Sequence, residues 1–103
     1  QLRQQVLAAR AVQTRRFAQH GYEGIHCNAQ LTAGQVRQVC RLTPGAQQVL
    51  RAAYDRLGLS ARSHDRLLRV ARTIADLAGS ALIAEDALLE ALQYRMQDKL
   101  EVR

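Results

Sequence analysis

The feature that most constrains the fold is the run from Leu57 to Gly79, LGLSARSHDRLLRVARTIADLAG, which has the pattern of a turn followed by a helix. Gly58 tolerates the left-handed backbone found just past a helix C-terminus, and Ser60 is a favoured N-cap residue. At about 100° per residue, one face of this helix is apolar and the opposite face is basic. The apolar face comprises Leu67, Ala71, Ile74, Ala75 and Ala78, and the basic face comprises Arg62, Arg66, Arg69 and Thr73, flanked by Asp65, Arg72 and Asp76. The pattern predicts a helix from Ser60 to Leu77 or Ala78 that packs on one side.

Four further helices are predicted from their boundaries. Residues 1–19 show a weak apolar stripe, and a loop over residues 20–30 follows, with three Gly and Asn residues. Thr32 and Gln35 match a capping box before a short helix that runs to about Cys40 or Arg41. Thr43-Pro44 opens a helix that ends near Leu57. Glu85 and Asp86 begin the last helix. The stripe of the first helix is Leu2, Val6, Ala9 and Val12, and that of the last is Leu88, Leu89, Leu92 and Met96.

Composition agrees with a helical domain. The chain has 103 residues, one Pro and 4% aromatic residues, and is rich in Ala, Leu, Arg and Gln, which favour helices. A chain of this length builds one domain with one modest core. The sequence therefore predicts an all-α fold, a small bundle of about five helices whose last three helices pack most tightly.

Charge and motifs restrict the function. The net charge of +6 comes almost entirely from arginine, whose planar fork binds phosphate, although a solvated surface with a codon preference for arginine would look the same. No G-x-x-x-x-G-K-[ST] phosphate loop occurs, and no acidic pair follows an apolar strand to hold Mg²⁺. We therefore expect no nucleotide hydrolysis and no bound cofactor from this chain alone.

The Cys and His residues fit no zinc spacing, so no metal site is predicted. His64 is expected to be a half-buried packing residue, and Cys40 a small core residue. Two cysteines without a C-x-x-C pair, no apolar run long enough to span a membrane, and no signal peptide favour a cytoplasmic protein with reduced thiols. The chain does not begin with Met, so we expect a fragment of a longer protein.

Several segments together resemble the C-terminal lid of the Mg-chelatase-like AAA+ ATPases, the ComM/YifB group tied to DNA uptake and recombination. The densest part is Leu57–Leu77. Asn28-Ala29-Gln30-Leu31-Thr32 resembles the start of that lid, and Ala91-Leu92-Gln93-Tyr94-Arg95 its closing helix. Val6, Ala9-Arg10, Gln13 and Arg16 resemble the preceding helix. The resemblance implies a connector helix and loop over residues 1–30 and a helical lid over residues 31–103.

The resemblance also implies site residues and partners. Arg62 matches the second sensor arginine, which reaches the γ-phosphate of ATP in the same or a neighbouring subunit, and Arg66 is a second candidate nucleotide contact. The longer protein is expected to bind ATP and Mg²⁺, to form a hexameric ring with neighbouring subunits, and to drive branch migration or unwinding of DNA. By their charge, Arg3, Arg10, Arg16 and Arg69 are candidate DNA or subunit contacts, although the arginines of the first helix fit better a basic connector helix packed against a preceding domain.

The same residues also fit other interpretations. Asp65 and Arg69, like Arg72 and Asp76, have the i,i+4 spacing of ordinary solvated ion pairs. Arg62 itself fits a surface arginine at a helix start. The lid of a magnesium chelatase subunit in tetrapyrrole synthesis has the same features. A stand-alone DNA-binding module with a helix-turn-helix over residues 43–72 is disfavoured, because few base-reading Asn or Gln residues lie on the exposed side.

Overall fold

The structure, a computed structural model, describes residues 2–101 and the side chains of residues 2–94. It contains the helices α1 (Leu2–Gln19), α2 (Ala33–Val39), α3 (Pro44–Leu57), α4 (Ala61–Leu77) and α5 (Glu85–Glu101), with a 3-10 turn, Asn28–Gln30, before α2. Within the described residues no strand forms, and one isolated bridge pairs Leu42 with Ile83. The predicted all-α bundle of five helices is confirmed.

The helix boundaries lie where the capping residues predicted them. Thr32 and Gln35 form the capping box, with each side chain accepting from the other residue's backbone N–H. The hydroxyls of Thr43 and Ser60 each accept a hydrogen bond, at 3.1 Å, from the backbone N–H three residues on. Gly58 ends α3 in the left-handed region, with a φ of 60°. These local interactions satisfy backbone groups that a helix end leaves unpaired, so the sequence alone was enough to locate them.

Helix α4 lies at the centre of the bundle. It packs against α1, the 3-10 turn, α2 and α5, while α3 packs on α5. The most extensive contact between described elements is that of α4 with α5, within the predicted set of the last three helices, and α1 also packs directly on α4. The core is aliphatic, as the composition predicted, with Phe17 its one buried aromatic side chain among the described residues. Its most deeply buried apolar side chains include Val36, Ala71, Ile83 and Leu88.

The apolar stripe predicted for α1 is wrong at two positions. Leu2 is 73% exposed and Val12 is 38% exposed. The contact with the bundle is made by a mixed face, in which two polar residues lie between two buried apolar ones. That face consists of Ala9, Gln13, Arg16 and Phe17. Since apolar periodicity cannot detect a polar contact, it could not locate this face.

The stripe predicted for α5 is correct only in part. Leu88 is fully buried and Leu92 is half-buried, but Leu89 is 49% exposed. Met96 lies outside the residues whose side chains are described. In α5 the neighbouring Ala87 and Ala91 supply the rest of the buried face, since small side chains let the helix approach α4 closely.

Candidate functional site

The N-terminal turns of α4 present two arginines without partners. Arg62 and Arg66 are exposed, and neither makes a hydrogen bond or ion pair within the part of the chain that the structure describes. The first turn of α4 contains no acidic residue. A cation there opposes the helix dipole, and two like charges four residues apart repel each other. The stability of α4 therefore gives no reason for these residues, and the arrangement suits an anionic ligand.

The start of α4 is held against the end of α3. The His64 ring lies 5.6 Å from the Tyr54 ring, centroid to centroid, and His64 Nδ1 lies 3.3 Å from Asp65 Oδ1. The side chain of His64 is 23% exposed, so its prediction as a half-buried packing residue is confirmed. This contact fixes the backbone from which Arg62 projects, two residues before His64.

Further along α4 the arginines face inward and bond to backbone carbonyls. Arg69 is half-buried, and its Nε donates to the carbonyl of Leu31 at 2.8 Å. Arg72 is 1% exposed and donates to the carbonyls of Val39, Ser80 and Ala81 at 2.7 to 3.2 Å. These guanidiniums link α4 to the start and end of α2 and to the segment after α4.

The solvated-face interpretation of the two i,i+4 pairs is corrected by this geometry. The Arg72–Asp76 pair forms, with Nε 3.2 Å from Oδ1, but both side chains are buried. Arg72 Nε is within ion-pair distance yet lacks hydrogen-bond geometry. The expected Asp65–Arg69 pair does not form. Asp65 instead lies against His64, and Arg69 donates to the carbonyl of Leu31. Burial is set by the elements that pack on α4, which spacing along one helix does not reveal.

Asp76 is the centre of a buried polar cluster that joins three elements. Arg16 of α1 donates to both of its carboxylate oxygens, at 2.6 and 3.0 Å. Gln13 donates at 3.1 Å and the amide of Asn28 at 3.0 Å. Burial by itself would raise the pKa of Asp76, but the hydrogen bonds from Arg16 and Asn28 and the charges of Arg72 and Arg16 outweigh it and hold the pKa below its usual value. The carboxylate therefore stays ionised and fastens α1 and the 3-10 turn to α4.

Sequence reasoning missed most of this cluster. The i,i+4 spacing identified the Arg72–Asp76 pair but placed it on the surface. The sequence indicated Asn28 only as a loop residue and as part of the family resemblance, whereas in the structure it also donates to Thr73 Oγ1 at 3.1 Å. Gln13 and Arg16 contact Asp76 across 63 and 60 positions of sequence, and no local signal predicts such a contact.

The candidate DNA or subunit contacts fall into two groups. Arg3 and Arg10 are exposed on α1 and have no partner among the described residues. Arg16 and Arg69 are half-buried and bonded within the domain. The structure thus gives Arg16 and Arg69 an internal role, and an external contact for any of the four stays a prediction.

The remaining chemistry-bearing residues are dispersed. Cys27 is exposed and Cys40 is buried, as predicted for a core residue, and burial raises the pKa of the Cys40 thiol to about 11. Across residues 2–94, no three His, Cys, Asp or Glu side chains come together as metal ligands do. None of the helices, over the residues described, combines the length and apolarity needed to cross a bilayer.

Comparison with known proteins identifies the family. The family described as "Magnesium chelatase, subunit ChlI C-terminal" matches residues 1–95. Over 100 residues the chain is 37% identical to the competence protein ComM of Haemophilus influenzae, which covers 97% of the chain and 18% of ComM. Over 99 residues it is 39% identical to the uncharacterized protein YifB of Escherichia coli, which covers 96% of the chain and 18% of YifB.

The chain thus spans less than a fifth of the length of these relatives and corresponds to their C-terminal part. No solved structure matches it. The chain therefore belongs to the family of magnesium chelatase ChlI C-terminal domains, within the ComM/YifB group of Mg-chelatase-like proteins.

Proposed function

We propose that this domain is the lid of a Mg-chelatase-like AAA+ ATPase and that Arg62 is its second sensor. The observation that carries the proposal is the exposed, partner-free guanidinium of Arg62 in the first turn of the central helix. Its unfavourable position relative to the helix dipole is explained if it serves an anion supplied from outside the domain. A nucleotide γ-phosphate held by the preceding domain is such an anion.

In this proposal the direct contact between this chain and the nucleotide is the one between Arg62 and the γ-phosphate. ATP with Mg²⁺ would supply the phosphoryl group and its leaving group, and its binding loop would belong to the part of the protein before this chain. Arg62 would donate its planar fork to the transferred phosphate and stabilise the charge that develops there. Arg66, one turn along the same face, would raise the local positive potential and attract the nucleotide.

The packing of α4 suits a lid that moves as one body. Asp76 lies 14 residues after Arg62 on the same helix, which is about 21 Å at 1.5 Å per residue. At that end, α4 is fastened to α1 by Arg16 and to the 3-10 turn by Asn28. A displacement of Arg62 would therefore be transmitted along α4 to α1. Loss of the γ-phosphate contact would then shift the whole lid.

We extend the proposal to the whole protein through its relatives. One of them is named a competence protein. We infer a cytoplasmic motor, a hexameric ring, that uses ATP to drive branch migration or unwinding of DNA during recombination. Arg3 and Arg10 on the exposed side of α1 would contact DNA or a neighbouring subunit. The family description favours one alternative, the lid of a magnesium chelatase subunit, which would act without DNA.

The test is ATP hydrolysis by the full-length protein, with and without DNA, for wild type, Arg62→Ala and Arg56→Ala. Arg56 is the matched control, because it is also exposed and has no partner among the described residues. We expect Arg62→Ala to lower kcat at least tenfold with nucleotide binding retained, and Arg56→Ala to have no effect. Equal turnover in all three proteins would refute the sensor role. DNA-stimulated turnover would support the recombination motor over the chelatase.

A mixing experiment assigns the subunit on which Arg62 acts. Arg62→Ala protein is combined with protein whose phosphate loop is disabled. Recovery of activity in mixed rings would mean that Arg62 serves the neighbouring subunit's nucleotide. Absence of recovery, in rings shown by light scattering to be mixed, would mean that it serves its own.

A further inference from the structure

A basic groove beside the Asp76 cluster lies between the second half of α1 and the end of α2. Its volume is about 400 Å³. Four arginines line it, together with two amide side chains and one imidazole, and none of the lining residues is acidic. Its polar lining includes Arg15, Arg16, Arg41, Arg72, Gln19 and Gln38.

The floor of the groove carries an excess of positive charge. Arg16 and Arg72 share a single carboxylate, that of Asp76, so the buried triad has a net charge of +1. Burial lowers the pKa of Arg72, the charge of Asp76 raises it, and the neighbouring charge of Arg16 lowers it again. A buried uncompensated charge is costly, and an anion in the groove would balance it.

The rim adds two more cations that are free to bind. Arg15 and Arg41 are exposed, and their guanidinium groups make no hydrogen bond or ion pair in the described part of the chain. Gln38 accepts a hydrogen bond from the Tyr22 hydroxyl through its Oε1, which leaves its amide N–H groups as donors. The groove therefore combines buried positive charge at its floor with exposed hydrogen-bond donors at its rim.

We propose that this groove binds the phosphodiester backbone of DNA, with Arg15 and Arg41 each contacting a phosphate. The identity of the polymer rests on the proposed function; the anionic chemistry rests on the groove. A protein partner suits the groove less well, because protein interfaces bury an apolar centre, whereas DNA interfaces are polar and strongly positive. The volume, far larger than one phosphate ion, suits a run of backbone.

The experiment measures DNA affinity of the full-length protein by fluorescence anisotropy, without nucleotide, as a function of salt. The test variant is the pair Arg15→Gln and Arg41→Gln. The matched control is the pair Arg51→Gln and Arg56→Gln, which removes the same charge from exposed positions of α3 outside the groove. Labelled single strands and duplexes of equal length are compared, and the helical circular dichroism of each variant verifies folding.

We expect the test pair to weaken DNA binding at least tenfold at about 0.1 M salt and to lower the slope of log Kd against log salt by about 1.4 for single strands or 1.8 for duplex, two phosphate contacts in each case. The control pair should change the affinity by less than threefold. The form of DNA, single-stranded or duplex, whose affinity falls more in the test variant is the form that the groove binds.

Two results would overturn the proposal. Equal losses of DNA affinity in the test variant and the control variant would mean that binding depends only on the net charge of the protein. Unchanged DNA affinity with weakened ring assembly, measured by light scattering, would assign the groove to an acidic surface of a neighbouring subunit. The binding measurement contains no ATP, so it does not depend on the sensor role of Arg62. Either proposal, DNA binding by the groove or sensing of ATP by Arg62, can therefore fail without the other.

Discussion

Removing the charge of Asp76 should destabilise the domain severely. Asp76→Asn keeps the shape of the side chain but removes the negative charge that Arg16 and Arg72 share. It also replaces one acceptor oxygen by a donor, which then faces the guanidinium and amide donors around it. Breaking a buried ion pair on one side typically costs about 3–5 kcal/mol, because the remaining charge stays buried without compensation. Two guanidiniums remain here, so we expect the upper half of that range.

That loss is large against the whole stability of the fold. A domain of this size is stable by about 5–15 kcal/mol. The assay is urea unfolding of the chain followed by circular dichroism at 222 nm. Asp55→Asn is the matched control, since Asp55 is exposed on α3 and has no partner in the described part of the chain. A loss below about 1 kcal/mol for Asp76→Asn, or an equal loss for Asp55→Asn, would refute the reasoning.

The same carboxylate gives the expected response to acid. The pKa of Asp76 in the folded domain lies below its unfolded value of about 3.9. Its contribution is therefore complete above pH 3.9 and is lost as the pH falls through the folded pKa. Wild type should lose stability in that acidic window, and Asp76→Asn should show a weaker dependence there. Parallel acid profiles for the two proteins would contradict the assignment of Asp76 as the titrating group.

Three further outcomes are expected. A thiol reagent at pH 8 should modify exposed Cys27 quickly and buried Cys40 only after urea is added; two fast equivalents would contradict the burial of Cys40. Because the pKa of Cys40 rises from 9.0 to about 11 on folding, stability should fall as the pH rises from 9 to 11, and a Cys40→Ala variant should lose this slope. Gly58→Ala places Ala at a φ of 60° and should cost about 1 kcal/mol in urea unfolding, whereas Gly34→Ala, inside α2, should be neutral or stabilising; equal effects would argue against the left-handed cap.

The helices and their boundaries were predictable because their causes are local. Thr32, Thr43 and Ser60 bond to backbone groups three residues away, and Gly58 adopts a conformation that glycine tolerates without a side-chain clash. Such interactions depend on a few neighbouring residues, so they can be recognised without knowing the fold. The family resemblance, carried by the same segments, is confirmed by the comparisons.

The candidate site was predictable only where side chains point away from the domain. Arg62 and Arg66 were expected on a polar face, and both are exposed. Arg72 and Asp76 were expected beside that face and are buried, because α1 and the segment after α4 cover them. Exposure of a helix side depends on which other helices pack there, and that information is not local.

By itself, then, the sequence determined the number of helices, their caps and the position of Arg62 at the start of α4, since these follow from hydrogen bonds and periodicity within one segment. Only the tertiary structure decided that α1 is fastened to α4 through Arg16 and Asp76, and that Arg15 and Arg41 meet over one groove. The physical reason is that buried charges are tolerated only where partners from distant segments converge, and convergence is a property of packing.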